Sequence, residues 1–450
     1  MIMKKYVYLV LGLLLFCYSC SDNNDNPEDP DNGYKTYSVA IQLSYPAEEG
    51  GFDANEGVKV KLSSTTGTVY DATTNAKGKA TFTVPVGIYE VSASDKKALD
   101  GYSYIYNGIK SNVVVNETWV NGETIELPLI LSKSGQIVIK ELYVGGCPKN
   151  DGSGNYQFDK YVILYNNSET PATLENLCLG MVNPYNANSS INDYVNGVLS
   201  YADQNFIPAG CAIWYLPTDL TIEGGKQVTI AMNGAVNHTL TYSKSVDLSH
   251  ADYCTYDIED FNQILYYPAP SEAIPSSHYF TAYKYGAGTA WALSNSSPAF
   301  FVFTTHDQTP VEFASNVENQ NYIPGREGNL TYIRTKVPTN WILDAVEVFA
   351  QENVAKSQKR LTPTVDAGYT VLTNAQGYTS YRNVDKEATE ALAANDKKLV
   401  YSYSKGTEGS TDPSGIDAEA SIKNGARIIY QDTNNSSNDF HQRSQASLRD

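Results

Sequence analysis

Apolar and polar positions alternate along much of the chain. Tyr37, Val39, Ile41, Leu43 and Tyr45 alternate with Ser38, Ala40, Gln42 and Ser44. Val58, Val60 and Leu62 alternate with Lys59 and Lys61, and Ala80, Phe82 and Val84 with Thr81 and Thr83. A period of two is that of a strand with one buried face. Turn residues separate the runs at 55–57, 75–78 and 85–87, and Ile125, Leu127, Leu129 and Leu131 supply a last strand. Short strands at regular spacing predict a small β-sandwich over residues 35–133.

Farther along, residues 136–143 and 158–168 predict two strands joined by a glycine-rich loop at 145–155. Residues 212–216 and 227–231 read as further strands, and the apolar run 298–303 as a buried one. Helix is scarce. Residues 386–397 carry strong helix formers but little apolar face. The Gly, Ser and Thr of residues 404–416 predict a mobile loop. The fold class expected is mainly β: a small sandwich, then a larger domain over residues 134–450 with few short helices.

Three segments of the first module, 57–62, 74–82 and 84–91, resemble carboxypeptidase-regulatory-like, prealbumin-type sandwiches. They share an Asn-x-x-Gly turn (Asn75, Gly78), a Phe-bearing strand (Phe82) and a Pro-x-Gly-x-Tyr hairpin (Pro85, Gly87, Tyr89). The resemblance implies a spacer or stability module without catalysis. Residues 136–143 and 158–168 resemble the opening of lamin-tail-like domains, which are immunoglobulin-like sandwiches, with Ile163 where that family usually has Glu. By the same resemblance residues 173–179 match its third strand and residues 207–210 its Pro-x-Gly turn. Segments 231–238, 245–252, 341–347 and 431–440 resemble domain-of-unknown-function family 4876, carried by Bacteroidetes surface lipoproteins. The resemblance implies an accessory of TonB-dependent outer-membrane transport, and it brings no catalytic residue to carry over.

The first residues follow the plan of a secretory signal peptide, residues 1–19: Lys4 and Lys5, an apolar stretch from Tyr6 to Phe16, and a small residue, Ser19. The stretch is too short to span a bilayer. Residues 16–20 resemble a bacterial lipobox with Cys17 where Leu is usual, which makes Cys20 the lipidation site. Residues 20–34, polar and acidic, predict a disordered tether, and resemble the surface-export signal of Bacteroidetes lipoproteins. The implied location is the outer membrane, lipid-anchored and facing outward. The alternatives are an ordinary secreted protein with an incidental cysteine, or a lipoprotein facing the periplasm.

Charge narrows the partners. The net charge is −18, and cleavage would remove Lys4 and Lys5 as well. Such a surface repels phosphate, so nucleic acid is a poor partner. Cys147, Cys178, Cys211 and Cys254 allow two disulfides in three connectivities or four buried thiols. They contain no Cys-x-x-Cys. His238, His250, His278, His306 and His441 lack the short spacing of a ligand motif. The loop Asp151-Gly152-Ser153-Gly154-Asn155 lacks the closing Glu of a calcium loop and reads as a hairpin turn. No metal site and no cofactor are expected. Gly-x-Ser-x-Gly, His-Glu-x-x-His and phosphate-loop motifs are absent.

Aromatic residues are the more suggestive chemistry. Tyr, with 35 residues, outnumbers Phe and Trp together, so local density marks a candidate surface. Tyr253, Tyr256, Tyr266, Tyr267, Tyr279, Tyr283, Tyr285 and Trp291 fall in one window, where a strand could present several rings on one face. The alternative is that these Tyr residues pack between sheets. The expected function is a non-catalytic surface protein that binds a ligand or partner through these residues. A structural or adhesive protein and a carboxylate-based hydrolase are the other readings.

Overall fold

The protein is described from a computed structural model covering residues 35–46, 56–99, 102–134, 136–188, 190–191 and 193–449. The predicted leader, Cys20 and the acidic tether lie outside the described residues. The alternation of residues 37–45 becomes the strand Thr36–Ser44, whose Tyr37, Val39, Ile41 and Leu43 are buried. It is the middle of a three-stranded sheet, antiparallel to Lys79–Pro85 and parallel to Glu123–Pro128. A five-stranded sheet faces it, built from Val69–Thr73, Lys59–Ser64, Gly87–Leu99, Tyr102–Val115 and Ile130–Ser134. Their inner faces share one core, in which Val60, Leu62, Phe82, Tyr89 and Val91 meet the first strand.

The single strand expected over residues 125–131 is two strands in different sheets. Glu123–Pro128 pairs with Thr36–Ser44, and Ile130–Ser134 pairs with Tyr102–Val115. The chain crosses between sheets at Leu129, over Gly108. A Cβ on Gly108 would stand 2.7 Å from a Leu129 methyl carbon and 2.9 Å from Leu127 Cγ, so a larger residue there would have to displace both leucine side chains.

The larger domain is organised by a mixed sheet of twelve strands. In spatial order these are Thr370–Leu372, Ile342–Ala350, Ala299–Thr304, Leu177–Met181, Ala212–Tyr215, Tyr279–Lys284, Tyr253–Thr255, Gln227–Ala231, Tyr161–Asn166, Ile137–Tyr143, Thr379–Arg382 and Phe440–Arg443. Residues from across the whole order, Ile139, Leu164, Leu179, Trp214, Phe280, Val302, Val346 and Phe440, belong to one hydrophobic cluster. The sheet therefore curls around its own inner face. Its two edges meet where the Thr373 amide donates to the Gln442 side chain. Ile137–Tyr143, Tyr161–Asn166 and Ala299–Thr304 are buried on both faces, as continuous apolar runs demand. The outer face is covered by loops carrying Val246 and Leu248, and by a second group with Ile416, Ile428 and Tyr430.

Buried charges join these layers. Arg382 lies among Asp344, Asp432 and Asp439. Lys359 bridges to Glu347 at 2.6 Å. The two modules touch where the Asn107 side-chain amide donates to the Thr433 carbonyl.

Several expectations are revised. Residues 173–179 form two strands, Ala172–Leu174 and Leu177–Met181, separated by Asn176 at φ 55°. Residues 207–210 are a strand rather than a turn: Phe206–Gly210 pairs with Ile333–Pro338. It is an edge strand, where Pro208 is tolerated. The helix is shorter than residues 386–397. Asp385 caps Lys386–Glu390, and a separate 3₁₀ turn follows at Ala393–Asn395. The stretch 404–416 is pinned: Asp412, Ser414 and Ile416 are buried, and the Asp412 carboxylate accepts from the Val384 amide at 3.1 Å. Cys147, Cys178, Cys211 and Cys254 are buried free thiols. Cys178, Cys211 and Cys254 belong to three separate hydrophobic clusters, so packing keeps them apart.

An exposed aromatic strip as candidate functional site

The structure divides the eight aromatic residues of the 253–291 window. Tyr267 and Trp291 are 3% and 1% exposed and pack in the main core. There the Tyr267 hydroxyl lies 3.2 Å from the Trp291 amide, which donates to it. Tyr285 donates its hydroxyl to the Ala209 carbonyl at 2.9 Å and is half-buried. On Tyr279–Lys284, Tyr279 and Tyr283 do alternate with buried Phe280 and Ala282, as the period of two predicts. They pack against different core clusters, however, and form no shared platform. Tyr253 stacks on His278 with centroids 4.5 Å apart, and Tyr256 meets Tyr279 edge-on at 5.6 Å.

Tyr266 leads to a different grouping. Its ring is 4.9 Å from Phe158, edge to face. Phe158 in turn meets Tyr156 at 5.7 Å, and Tyr156 stacks on Tyr242 at 4.3 Å. All four rings are partly buried, with part of their surface left exposed. Beyond Tyr266 the series continues inward through Tyr267 to Phe261 and Trp214. The segments that supply the rings also carry exposed aliphatic side chains: Leu240 at 85% exposure, two residues before Tyr242, Ile264 at 72% and Leu265 at 61%, directly before Tyr266, and Ile258 at 55%. Singly exposed apolar residues are ordinary; exposed aliphatic residues next in sequence to linked aromatic rings are a composition found in interaction surfaces.

Local structure holds the strip rigid. Cys147–Pro148 and Asn155–Tyr156 form a hairpin. Gly146, at φ 72°, lets the chain turn so tightly that a Cβ there would sit 2.1 Å from the Tyr156 carbonyl oxygen. Asn150 in the hairpin loop accepts from the Ser243 amide and donates to the Thr241 carbonyl, both at 2.9 Å. These bonds bring Tyr242 onto Tyr156. The Tyr156 hydroxyl bonds His238 Nδ1 at 2.8 Å, and His238 Nε2 lies 2.6 Å from the Gly234 carbonyl. A carbonyl only accepts, so Nε2 carries the proton and Nδ1 accepts from Tyr156. Burial lowers the His238 pKa, which keeps the ring in this neutral, directional form.

Beneath the strip lies a polar layer. The buried Asp159 carboxylate accepts from Ser245 at 2.5 Å and Tyr143 at 3.3 Å, and burial pushes its pKa up to about 6. Lys160 donates to the Leu293 carbonyl, and burial lowers its pKa to about 8. The other histidines do not join His238: His278 reaches the Asp252 carbonyl, and His441 lies between Tyr403 and Asn383. Among the described residues no group of three or more His, Cys, Asp or Glu is placed to hold a metal ion. Asp151 accepts from the Ser153 amide at 2.9 Å within the hairpin turn.

The family described as "Protein of unknown function (DUF4876)" matches residues 223–447, half of the chain. The chain belongs to this family. A crystal structure of a DUF4876 family protein from Bacteroides thetaiotaomicron VPI-5482 is 20% identical. It covers 90% of this chain and 94% of that one, with a TM-score of 0.50. The two DUF4876 proteins thus share the fold. A candidate carbohydrate-binding protein from Bacteroides uniformis ATCC 8492 is 13% identical, covering 42% of this chain and 77% of that one, with a TM-score of 0.15. A DUF3823 family protein from Parabacteroides merdae ATCC 43184 is 8% identical, covering 44% and 96%, also with a TM-score of 0.15. Scores this low carry no argument about fold or ligand. No curated protein matches the chain. Within the DUF4876 match lie Leu240, Tyr242, Ile264, Leu265 and Tyr266; Tyr156 and Phe158 reach the strip from outside it.

Proposed function

We propose that this DUF4876 protein is a non-catalytic binding protein of the bacterial outer surface, lipid-anchored through Cys20, whose aromatic strip docks on a protein partner. The carrying observation is the strip itself, four linked, partly exposed rings from segments that also carry the exposed Leu240, Ile264 and Leu265. Bare aliphatic side chains favour a protein surface over a glycan, whose hydroxyls they leave without hydrogen bonds. The partner we favour is a TonB-dependent receptor, with the prealbumin-like module as spacer and the lamin-tail-like domain as reader. The 15 residues of the tether, 20–34, reach about 50 Å when extended, which suits a domain that must find a neighbour in the same membrane.

A hydrolase reading finds less support. Of the carboxylates that burial raises, Asp344 and Asp439 share Arg382 inside the core instead of facing each other across a cleft, and Asp159 is held by Ser245 and Tyr143.

Two measurements test the proposal. Cys20→Ala should move the protein from the membrane to the soluble fraction; a variant that still sediments with membranes would end the tether reading. In mild detergent extracts the wild type should recover a barrel receptor, and the double variant Leu240→Asp, Ile264→Asp should lower that recovery at least about tenfold. Both side chains are exposed, so stability should stay within about 0.5 kcal/mol of wild type. Equal recovery by the double variant would remove the strip from the interface, and no receptor in wild-type extracts would remove the partner.

A further inference from the structure

The described chain starts at one end of the small sandwich. Thr36 is paired with Pro85 and Tyr37 with Val84, so the link Pro85-Val86-Gly87 lies beside the point of entry. At the same end Gly87 pairs with Val115 and Ile88 with Val114. The loop after Val115 folds back onto the first strand. There the Ser38 amide donates to the Asn121 side chain at 2.8 Å, and the Ser38 carbonyl accepts from the Trp119 indole at 3.1 Å and the Gly122 amide at 3.0 Å. These bonds hold Val120 at the entry point too.

Four aliphatic side chains stand bare at this tip: Val120 at 67% exposure, Val86 and Val114 at 49%, and Ile88 at 44%. Alternation accounts for two of them. Tyr89, Val113 and Val115 take the inner face, which turns Ile88 and Val114 outward as a directly opposed pair. Strand register and the Ser38 bonds thus gather the four into one patch, where scattered apolar residues would mean nothing.

Two features indicate what covers the tip. The large domain sits at the other end of the same strand, where Asn107 bonds Thr433; about 23 Å of strand separate Asn107 from Val114. Lys35, next to Thr36, follows directly on residues 20–34, which span at most about 50 Å. A lipid on Cys20 therefore keeps a bilayer within reach of the tip. Anchoring also makes the encounter intramolecular, so a weak apolar contact suffices. Glu117 and Glu123 flank Val120 in sequence, which sets the tip against anionic headgroups and favours neutral lipid.

We propose that Val86, Ile88, Val114 and Val120 rest in the headgroup boundary of the bilayer that holds the Cys20 lipid, on neutral lipid, and so stand the large domain away from the membrane. The inference rests on the anchored reading given above and is independent of the aromatic strip.

The test labels the acylated full chain with an environment-sensitive fluorophore at Val120→Cys or, for comparison, at Lys397→Cys, whose side chain is 90% exposed in the large domain. Cys147, Cys178, Cys211 and Cys254 are buried and escape the label. Each protein is floated on phosphatidylcholine vesicles with brominated acyl chains. Quenching at position 120 should be at least about twice that at 397. Ile88→Ser combined with Val114→Ser should lower it to the level at 397 while the protein still floats, and unchanged quenching would overturn the patch. A wild type that does not float ends the anchored reading and this inference with it. A floating protein quenched equally at both positions ends this inference alone. So does a label at 120 shielded from water without quenching, which would put a protein partner or a second copy on the tip. Stronger quenching on brominated phosphatidylglycerol would overturn the choice of neutral lipid. Should the double variant fail to fold, the comparison of the two labelled positions decides by itself.

Discussion

Arg382→Met should cost about 3–5 kcal/mol at pH 8, and markedly less at pH 4. The Arg382 side chain donates to the Ile139 carbonyl at 2.7 Å and the Gln431 carbonyl at 3.0 Å, and it pairs with Asp344 and with Asp432. Its guanidinium also lies 4.4 Å from the Phe440 ring. One cation thereby serves three buried carboxylates, with Asp439 at 3.7 Å as the third. Burial pushes the pKa values of Asp344 and Asp439 up to about 7, while the attraction of Arg382 opposes that rise.

The direction of the pH effect follows. Both folded values lie above those of unfolded carboxyls near 4, so the folded protein binds these protons more tightly. The contribution is fully present below pH 4 and is lost as pH rises through 7. Without Arg382 the carboxyls rise further, so the variant keeps losing stability where the wild type has levelled off. Urea melts at the two pH values measure the difference. An equal loss at both would mean that packing against Phe440, and not charge, is what Arg382 supplies.

Trp214→Ala should cost about 3–5 kcal/mol, whereas Trp214→Phe should cost less than about 1.5 kcal/mol. Trp214 is fully buried, with Phe261 and Tyr267 each 5.5 Å away between centroids. Its indole Nε1 is buried without a partner, so replacing it with carbon removes a penalty and not a bond. The truncation has a second effect. Tyr267 backs Tyr266, and Tyr266 is the inner end of the exposed strip, so a cavity at Trp214 loosens the partner surface from behind. Below the melting temperature, Trp214→Ala should therefore recover less receptor than Trp214→Phe. Identical recovery would show that the strip needs no support from the core.

The strands were legible in the sequence wherever one face is buried. Residues 37–43 alternate because Val39, Ile41 and Leu43 enter the core, and 227–231 became a strand with those same bounds. Alternation does not report which sheet a strand joins. Ile125 to Leu131 keeps its period while the chain changes partner at Leu129. Nor does composition report anchoring: the polar stretch 404–416 is held by buried Asp412 and Ser414.

The site was legible in part. The 253–291 window contains Tyr266, the inner end of the strip, together with Tyr267 and Trp291, which are core. Tyr156, Phe158 and Tyr242 come from outside that window, and no local pattern announces that Tyr156 and Tyr242, 86 positions apart, will stack. Two hints were available. Tyr156 and Phe158 interrupt a polar loop, and the run Ile264-Leu265-Tyr266-Tyr267 is too short and too isolated for a core strand.

The neighbours of Ile137–Tyr143 set the order in which the large domain can be completed. This strand is the first of its sheet in the chain, and one of its edges is occupied by Thr379–Arg382, which in turn pairs with Phe440–Arg443. A chain emerging from its amino end therefore holds an apolar strand with a bare edge until some 240 further residues have appeared. Contacts so distant in sequence form slowly, and an unpaired edge is a template for joining another chain. The small sandwich can close long before that. A nascent molecule thus passes through a stage with one finished head and one sticky half-built sheet, and in that interval a chaperone that shields strand edges would raise the yield of folded protein.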